Sequence, residues 1–361
     1  MLRFSPAVFA VGDCYQIIVT SKSQAFISIK VGNKIFVDDS NGILRSACKT
    51  HKFNIPMQLL NETKHYTVIE KHIIKRLPYF TQTGKDKFYE YDFYPVPQKN
   101  QRAFHIADAH NETEGPVNAG KKYGKFDFLI LNGDIPNHSG TVENFATVFE
   151  ICSLLTEGQK PVVFARGNHD LRGICAEKFA EYTPSLNGKT YYTWRLGSIW
   201  GICLDCGEDK PDDHEEYGNT VCCHIFRERE TEFLEEIIKS EEYKAPGIDT
   251  RLVICHNPFT FKFEEPFNIE KEIYTHWARL LKENIKPDLM ICGHTHTYAL
   301  RYPGDESDYK GHPCPLVTAS QRGNDIPFGG AGFEFGEKNI KIDFVNSINP
   351  NLDKITVKKE K

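Results

Sequence analysis

The chain has 361 residues, 26% charged and 40% hydrophobic, with 49 acidic side chains against 44 basic ones and a formal charge of −5. At about 150 residues per domain this leaves room for roughly two domains and a sizeable core. No apolar run reaches the roughly 18 residues of a membrane helix, no Gly, Pro or Ser tract marks a fibrous or disordered chain, and the acidic balance without a Lys/Arg block disfavours nucleic acid as a partner.

The first residues, MLRFSPAVFAVGDCYQ, place one arginine before a short apolar stretch broken by Pro6, too weak a pattern for a signal peptide. Eleven cysteines without a framework spacing, several of them inside apolar runs, suit reduced thiols and a cytoplasmic location. The runs YQIIVT, AFISIKV and KIFVDD read as strands, with Gly32-Asn33 as a hairpin turn. Leu60, six residues before Tyr66 at the head of an alternating run, has the pattern of a tyrosine corner. Residues 1–96 are therefore expected to form a small β-sandwich, which resembles a fibronectin type III domain. The proline-rich segment Tyr94-Pro-Val-Pro-Gln-Lys-Asn-Gln101 then marks a boundary, with a second domain over 97–361. The sandwich has no cluster of polar side chains at ligand spacing, so packing against the second domain is its default role and any protein partner is unknown.

Beyond the boundary, apolar runs (AFHIA, FDFLIL, PVVFA, IWGICL, RLVIC, DLMIC) alternate with helical periodicity over 142–155, 227–238 and 269–281. Continuous hydrophobicity marks strands buried on both faces, as in a sheet covered by helices. After Pro315, the runs PLVTAS, AGFEFG, NIKIDFV and KITVKK return to strand character, and an antiparallel part of the sheet is expected there.

Each strand run delivers polar residues at its carboxyl end: Asp108-Ala-His110, Gly133-Asp134, Gly167-Asn168-His169-Asp170, His256, and Gly293-His294-Thr-His296. In open α/β sheets these ends form the ligand crevice. Carboxylates, an amide oxygen and imidazoles, with no thiolate, suit a pair of metal ions and argue against a zinc finger. Asp108 and His110 are expected to alternate from a strand end, as are His294 and His296, so that each pair clasps one site. The glycines before Asp134, Asn168 and His294 are expected to let the backbone approach a bound anion.

The ordered series DxH, GD, GNHD, His and GHxH resembles the calcineurin-like metallophosphoesterase superfamily, over roughly residues 102–345. The resemblance implies a four-layer α/β fold of two packed mixed sheets flanked by helices, preceded here by the small all-β domain. It implies that Asp108, His110 and His296 hold one divalent metal, that Asn168, His256 and His294 hold another, and that Asp134 bridges them. It further implies that His169 donates a proton to the leaving oxygen, that Asp170 orients His169 or holds its charge, and that a small phosphate monoester or diester is cleaved by in-line attack of a metal-bound hydroxide. Purple acid phosphatases are similar in carrying a β-sandwich ahead of the catalytic domain. They have a glycine where His110 stands, however, and a tyrosine where this chain has Asn137, so no tyrosinate ligand and no purple colour are expected. Manganese, iron or zinc all remain open.

Asn137, Arg166 and His214 are candidates for touching substrate, Arg166 equally for pairing with a nearby carboxylate, and Tyr217 shares with His214 the polar loop 207–220, which reads as a lid or as a solvated acidic loop. Cys203-Leu-Asp-Cys206 with Cys222-Cys223 has some zinc-ligand spacing, but buried free thiols account for it better. Trp194, Trp200 and Trp277 fall at core positions. Two other readings stand beside hydrolysis of a small ester: a nuclease or cyclic-nucleotide phosphodiesterase, and a metal-stabilised binding scaffold without turnover.

Overall fold

In the computed structural model, which describes residues 1–39, 42–323 and 325–359, the apolar runs fold as strands and the 3.6-period segments as helices. The amino-terminal part comprises β1 (Ala7–Val11), β2 (Cys14–Val31), β3 (Lys34–Val37), β4 (Cys48–Pro56), α1 (Met57–Thr63), β5 (His65–Arg76), β6 (Thr81–Thr83) and β7 (Lys87–Asp92). There follow β8 (Gln101–Ile106), α2 (Glu114–Tyr123), β9 (Phe128–Asn132), α3 (Ala146–Thr156), β10 (Pro161–Ala165), α4 (Phe179–Tyr182), β11 (Tyr192–Leu196), β12 (Ile199–Leu204), α5 (Cys223–Ser240) and β13 (Thr250–Cys255). The chain continues with α6 (Lys271–Leu280), β14 (Leu289–Cys292), β15 (Tyr298–Arg301), β16 (Leu316–Ala319), β17 (Gln321–Gly323), β18 (Ile326–Phe335), β19 (Asn339–Asn346) and β20 (Asp353–Lys358). Among the described residues no helix is long and apolar enough to cross a membrane.

Two mixed sheets pack face to face. The first runs β20-β19-β18-β8-β9-β10-β1-β2-β5-β6 and the second β11-β12-β13-β14-β16-β15. The strand period of two explains why the runs of the second sheet are apolar throughout. Ile199, Cys203, Leu252, Ile254, Leu289 and Ile291 join the core shared with the first sheet. The residues between them, Trp200, Ile202, Leu204, Val253, Cys255 and Met290, join a second core with Phe233 and Leu234 of α5 and Trp277 and Ala278 of α6. On the other side, Val117 of α2 and Val148, Phe149 and Ile151 of α3 pack on the first sheet. The architecture is thus four layers, helix, sheet, sheet, helix. Trp194, Trp200 and Trp277 are all buried. The carboxyl-terminal runs divide: β16 extends the second sheet in parallel beside β14, whereas β18, β19 and β20 add antiparallel strands to the first.

The amino-terminal region is strand-rich. Gly32, at φ +55°, opens the two-residue turn that sets Val31 opposite Lys34. The runs YQIIVT and AFISIKV form one strand of 18 residues, β2, whose pairing with β4 slips in register between Thr20 and Ala25. Hydrogen bonding does not stop at residue 96. β1 lies parallel to β10, with Val8 opposite Pro161 and Phe9 opposite Val162, so the amino-terminal strands extend the first sheet and share its core. The Leu60 and Tyr66 pair is not a tyrosine corner. Leu60 lies in α1, and the buried Tyr66 hydroxyl donates not to a nearby carbonyl but to Gly158, 92 residues on, at 2.7 Å.

Candidate metal centre

β8, β9 and β10 run parallel in the first sheet, as do β13 and β14 in the second, so their carboxyl ends gather at one edge of the molecule. The donor residues lie just past those ends. They do not continue the pleat: Asp108 (φ +57°), His110 (+45°), Asp134 (+53°), His294 (+67°) and His296 (+52°) all take left-handed backbone. Sharp turns, not alternation along a strand, therefore aim Asp108 with His110 and His294 with His296. Glycines make room for these turns. A Cβ on Gly133 would lie 2.5 Å from the His256 ring, one on Gly293 would lie 2.5 Å from Ala107 Cβ, and one on Gly167 would collide with the Asp134 carboxylate. The space they keep clear is filled by the donor residues themselves.

The donors converge as overlapping sets, one of which brings His169 together with His110 and Asp134. Asp108, His110 and His296 form a second, and Asp134, His256 and His294 form a third, each with ligand atoms within 4.8 Å of one another. Nε2 of His296 is 3.2 Å from Asp108 Oδ1, Nε2 of His256 is 3.1 Å from Asp134 Oδ2, and Nδ1 of His294 is 3.1 Å from Asn168 Oδ1. Donors sharing one ion at bonds of about 2.0–2.2 Å stand about 3 Å apart. Three of these atoms, Asp108 Oδ1, His110 Nε2 and His256 Nε2, are buried without a hydrogen-bond partner. Orphaned polar atoms of this kind are costly unless something binds them, so the residues fit a metal.

The surrounding groups choose which atoms face the ion. His256 Nδ1 donates to the Asn132 carbonyl at 2.6 Å and His110 Nδ1 to Asn137 Oδ1 at 3.1 Å, which leaves each Nε2 free. Asp108 Oδ2 accepts from the His294 N–H and the Ser320 hydroxyl, which leaves Oδ1. Burial pushes His110 down to about 4, into the neutral form a ligand needs. Burial also works against charge on Asp108 and His256. Even so, His256 and His296 hold the Asp108 carboxyl well below the usual carboxylate range, and Asp134 and Asp108 raise His256 to about 10.

His169 presents its ring to the centre, 4.5 Å from the His110 ring between centroids. Its orientation comes from Asn137, whose backbone carbonyl accepts from Nδ1 at 2.9 Å, and from Arg172, whose Nη1 donates to Nε2 at 3.2 Å. Asp170, expected to orient His169, turns away from that ring. Its Oδ2 accepts the backbone N–H groups of Gly167 and Asp134, at 2.7 and 3.3 Å, and burial, then the Asp134 charge, pushes its acid well above the usual range.

Two residues expected at the substrate lie elsewhere. Arg166 pairs with the buried Asp205 at 2.6 Å between the rings of Phe179 and Phe226. His214 caps a short turn by accepting from the Glu216 N–H at 3.3 Å and lies against Tyr217. The loop 207–220 is neither an open lid nor wholly solvated. Glu208, Asp209 and Tyr217 are buried, Arg172 grips Glu208 at 3.0 Å, and Arg227 of α5 holds the Glu208 carbonyl at 2.6 Å. Cys206 lies with its sulfur 3.3 Å from that of Cys255, and Cys223 receives the Glu208 N–H; with Cys203 and Cys222 they are free thiols, not a zinc site. Sequence reasoning missed Arg172, Glu208, Asp209 and Ser320. Only Arg172, two residues past the GNHD block, carried a positional signal.

A family model described as calcineurin-like phosphoesterase matches residues 102–298. Comparison with curated proteins finds no match. Among solved structures, the chain is similar to purple acid phosphatase PPD1 from yellow lupin (Lupinus luteus) seeds, with a TM-score of 0.63 and 16% identity over 99% of this chain and 74% of that one. It is also similar to PhoD, with a TM-score of 0.53 and 11% identity over 98% of this chain and 88% of that one. At these identities the two structures speak to the fold, while the family match spans more than half the chain. The chain belongs to the calcineurin-like phosphoesterase family.

Proposed function

We propose that this member of the calcineurin-like phosphoesterase family hydrolyses small phosphate esters, monoesters or diesters, at a centre of two divalent cations. The observation that carries the reading is the set of buried, unpartnered donor atoms on Asp108, His110 and His256 with Asp134 among them. In it Asp108, His110 and His296 hold one cation, Asn168, His256 and His294 the other, and Asp134 lies between. Manganese, iron or zinc suits these nitrogen and oxygen donors. Such a pair supplies Lewis acidity to the phosphoryl oxygens and makes water a competent nucleophile near neutral pH.

The protein's own groups supply the rest. His169 has Nδ1 committed to the Asn137 carbonyl, so Nε2 is the atom that passes a proton to the leaving oxygen. Nε2 now accepts from Arg172, which also grips Glu208; by turning onto a phosphoryl oxygen Arg172 frees Nε2 to take a proton from water, and the imidazolium so formed gives that proton to the leaving oxygen. A recess beside His294, lined by Phe263, Phe267, Asp209 and Lys310, has room for little more than a water molecule, so the organic group of the ester stays outside it. The carboxylates of Glu208 and Asp209 beside it favour a small substrate over a polyanion.

The experiment compares an alkyl phosphate, whose leaving oxygen needs a proton, with p-nitrophenyl phosphate, whose leaving group does not. His169→Ala should retain its metals and lose about 10²-fold to 10⁴-fold in kcat on the alkyl ester, with a much smaller loss on the aryl one. Equal losses on both would remove His169 from the acid role.

A further inference from the structure

Apart from the main centre, the described residues hold one more set of converging donors. Asp38 follows β3, Cys48 opens β4 and His51 lies within it, close to where β4 slips in register against β2. The sequence gives little sign of this set, because the three residues are unevenly spaced and of mixed chemistry. The His51 ring is fully buried and Asp38 is about one-fifth exposed. His51 Nδ1 is 2.7 Å from Asp38 Oδ2, and Cys48 Sγ is 3.5 Å from that Nδ1 and 3.8 Å from that Oδ2.

A tetrahedral ion with bonds of about 2.0 Å to nitrogen and oxygen and about 2.3 Å to sulfur holds such donors about 3.3–3.5 Å apart. Both edges that include sulfur are already near that spacing. The third is short because a proton is shared across it, and it opens when an ion takes the proton's place. Outer contacts aim Asp38 and His51 as they do around a metal, while the Cys48 thiol donates to the Thr50 carbonyl at 2.9 Å, a bond it gives up when an ion binds. Ser46 donates its hydroxyl to Asp38 Oδ1 at 2.8 Å, turning Oδ2 inward. The Cys48 carbonyl lies 3.2 Å from His51 Nε2, ready to accept a proton there. A cysteine beside a histidine and an aspartate could also suggest a nucleophile, but burial, then Asp38, pushes the Cys48 thiol up to about 11. Its thiolate is scarce at neutral pH unless a metal stabilises it.

We propose that Asp38 Oδ2, Cys48 Sγ and His51 Nδ1 form a mononuclear site for a borderline-soft divalent cation of the zinc type, with a fourth position open to water on the Asp38 side. Binding releases the thiol proton to solvent and moves the imidazole proton from Nδ1 to Nε2, where the Cys48 carbonyl accepts it. The site is separate from the phosphoesterase centre and does not depend on that centre's activity.

The test loads the full chain with Co²⁺. The phosphoesterase centre contains no thiolate, so a sulfur-to-cobalt charge-transfer band that requires Cys48 reports this site alone. Wild type should show that band and take up one more Co²⁺ per chain than Cys48→Ser. Equal uptake with superimposable near-ultraviolet spectra would overturn the proposal. Should Cys48→Ser fail to fold, alkylation of Cys48 in the wild-type chain decides: Cd²⁺ should slow it by an order of magnitude or more, and an unchanged rate would overturn the proposal.

Discussion

Asp108, His110, Asp134, His294 and His296 sit on backbone that residues with a Cβ seldom adopt, at a cost of about 1 kcal/mol or more each. Their turns are what deliver five donors from two sheets into one pocket, so conformational strain is coupled to binding. His110 gives the clearest test, because glycine takes φ +45° without strain. His110→Gly should leave the metal-free chain within about 1 kcal/mol of wild-type stability while one cation is bound at least about tenfold more weakly. Calorimetry of the chelated chain and metal titration read the two effects separately. A destabilised chain with unchanged metal affinity would contradict this account.

At the scale of elements, the donor blocks and most strands were legible because both obey local rules. Strands β12, β13 and β14 are apolar on two faces, and the last residues of β13 and β14 lead directly into His256 and the GHxH block. What the sequence concealed depends on partners far along the chain. Nothing in the residues of β1 names β10 as its neighbour, since backbone hydrogen bonds carry no side-chain signature. The loop 207–220 reads as solvated because Arg172, which pairs with Glu208 and Asp209, and Arg227, which holds the Glu208 carbonyl, lie outside it; only Lys210, which also pairs with Asp209, lies within. Arg166 likewise read equally as a substrate contact or as a carboxylate's partner, because that partner, Asp205, lies 39 residues away. Lys52 of β4 shows the same long reach. Its ammonium donates to the carbonyls of Ala180 in α4 and of Thr183, and burial pushes it down to about 8 from 10.5. Between those pH values the unfolded chain keeps a proton that the folded chain has released, so stability rises with pH across the window; below about 8 the burial cost is present in full. Wild-type melting temperature should therefore climb more steeply through this window than that of Lys52→Met. Parallel curves would show that Lys52 does not titrate there.

Over the whole molecule, β1 and β2 continue the sheet that carries the catalytic strands, one core spans both regions, and Tyr66 ties β5 to the carbonyl of Gly158. Continuous packing of this kind predicts one cooperative unfolding transition, with calorimetric and van't Hoff enthalpies in agreement. Two separable transitions, one removed by deleting the amino-terminal strands, would instead mean independent domains. The same continuity keeps the strand ends in register above the two sheets, where the donors of both meet. The central claim, that those donors make a hydrolytic metal centre, is tested most directly by chelating the protein and re-adding Mn²⁺, Zn²⁺ or Fe²⁺ one at a time. Hydrolysis of p-nitrophenyl phosphate and bis(p-nitrophenyl) phosphate is then measured beside the bound metal. The account predicts that turnover of at least one ester disappears on chelation and returns as the centre fills with two ions. With ions counted on Cys48→Ser, which lacks the separate thiolate site, two bound without turnover of either ester would contradict the proposed hydrolysis, and no metal bound would contradict the centre itself.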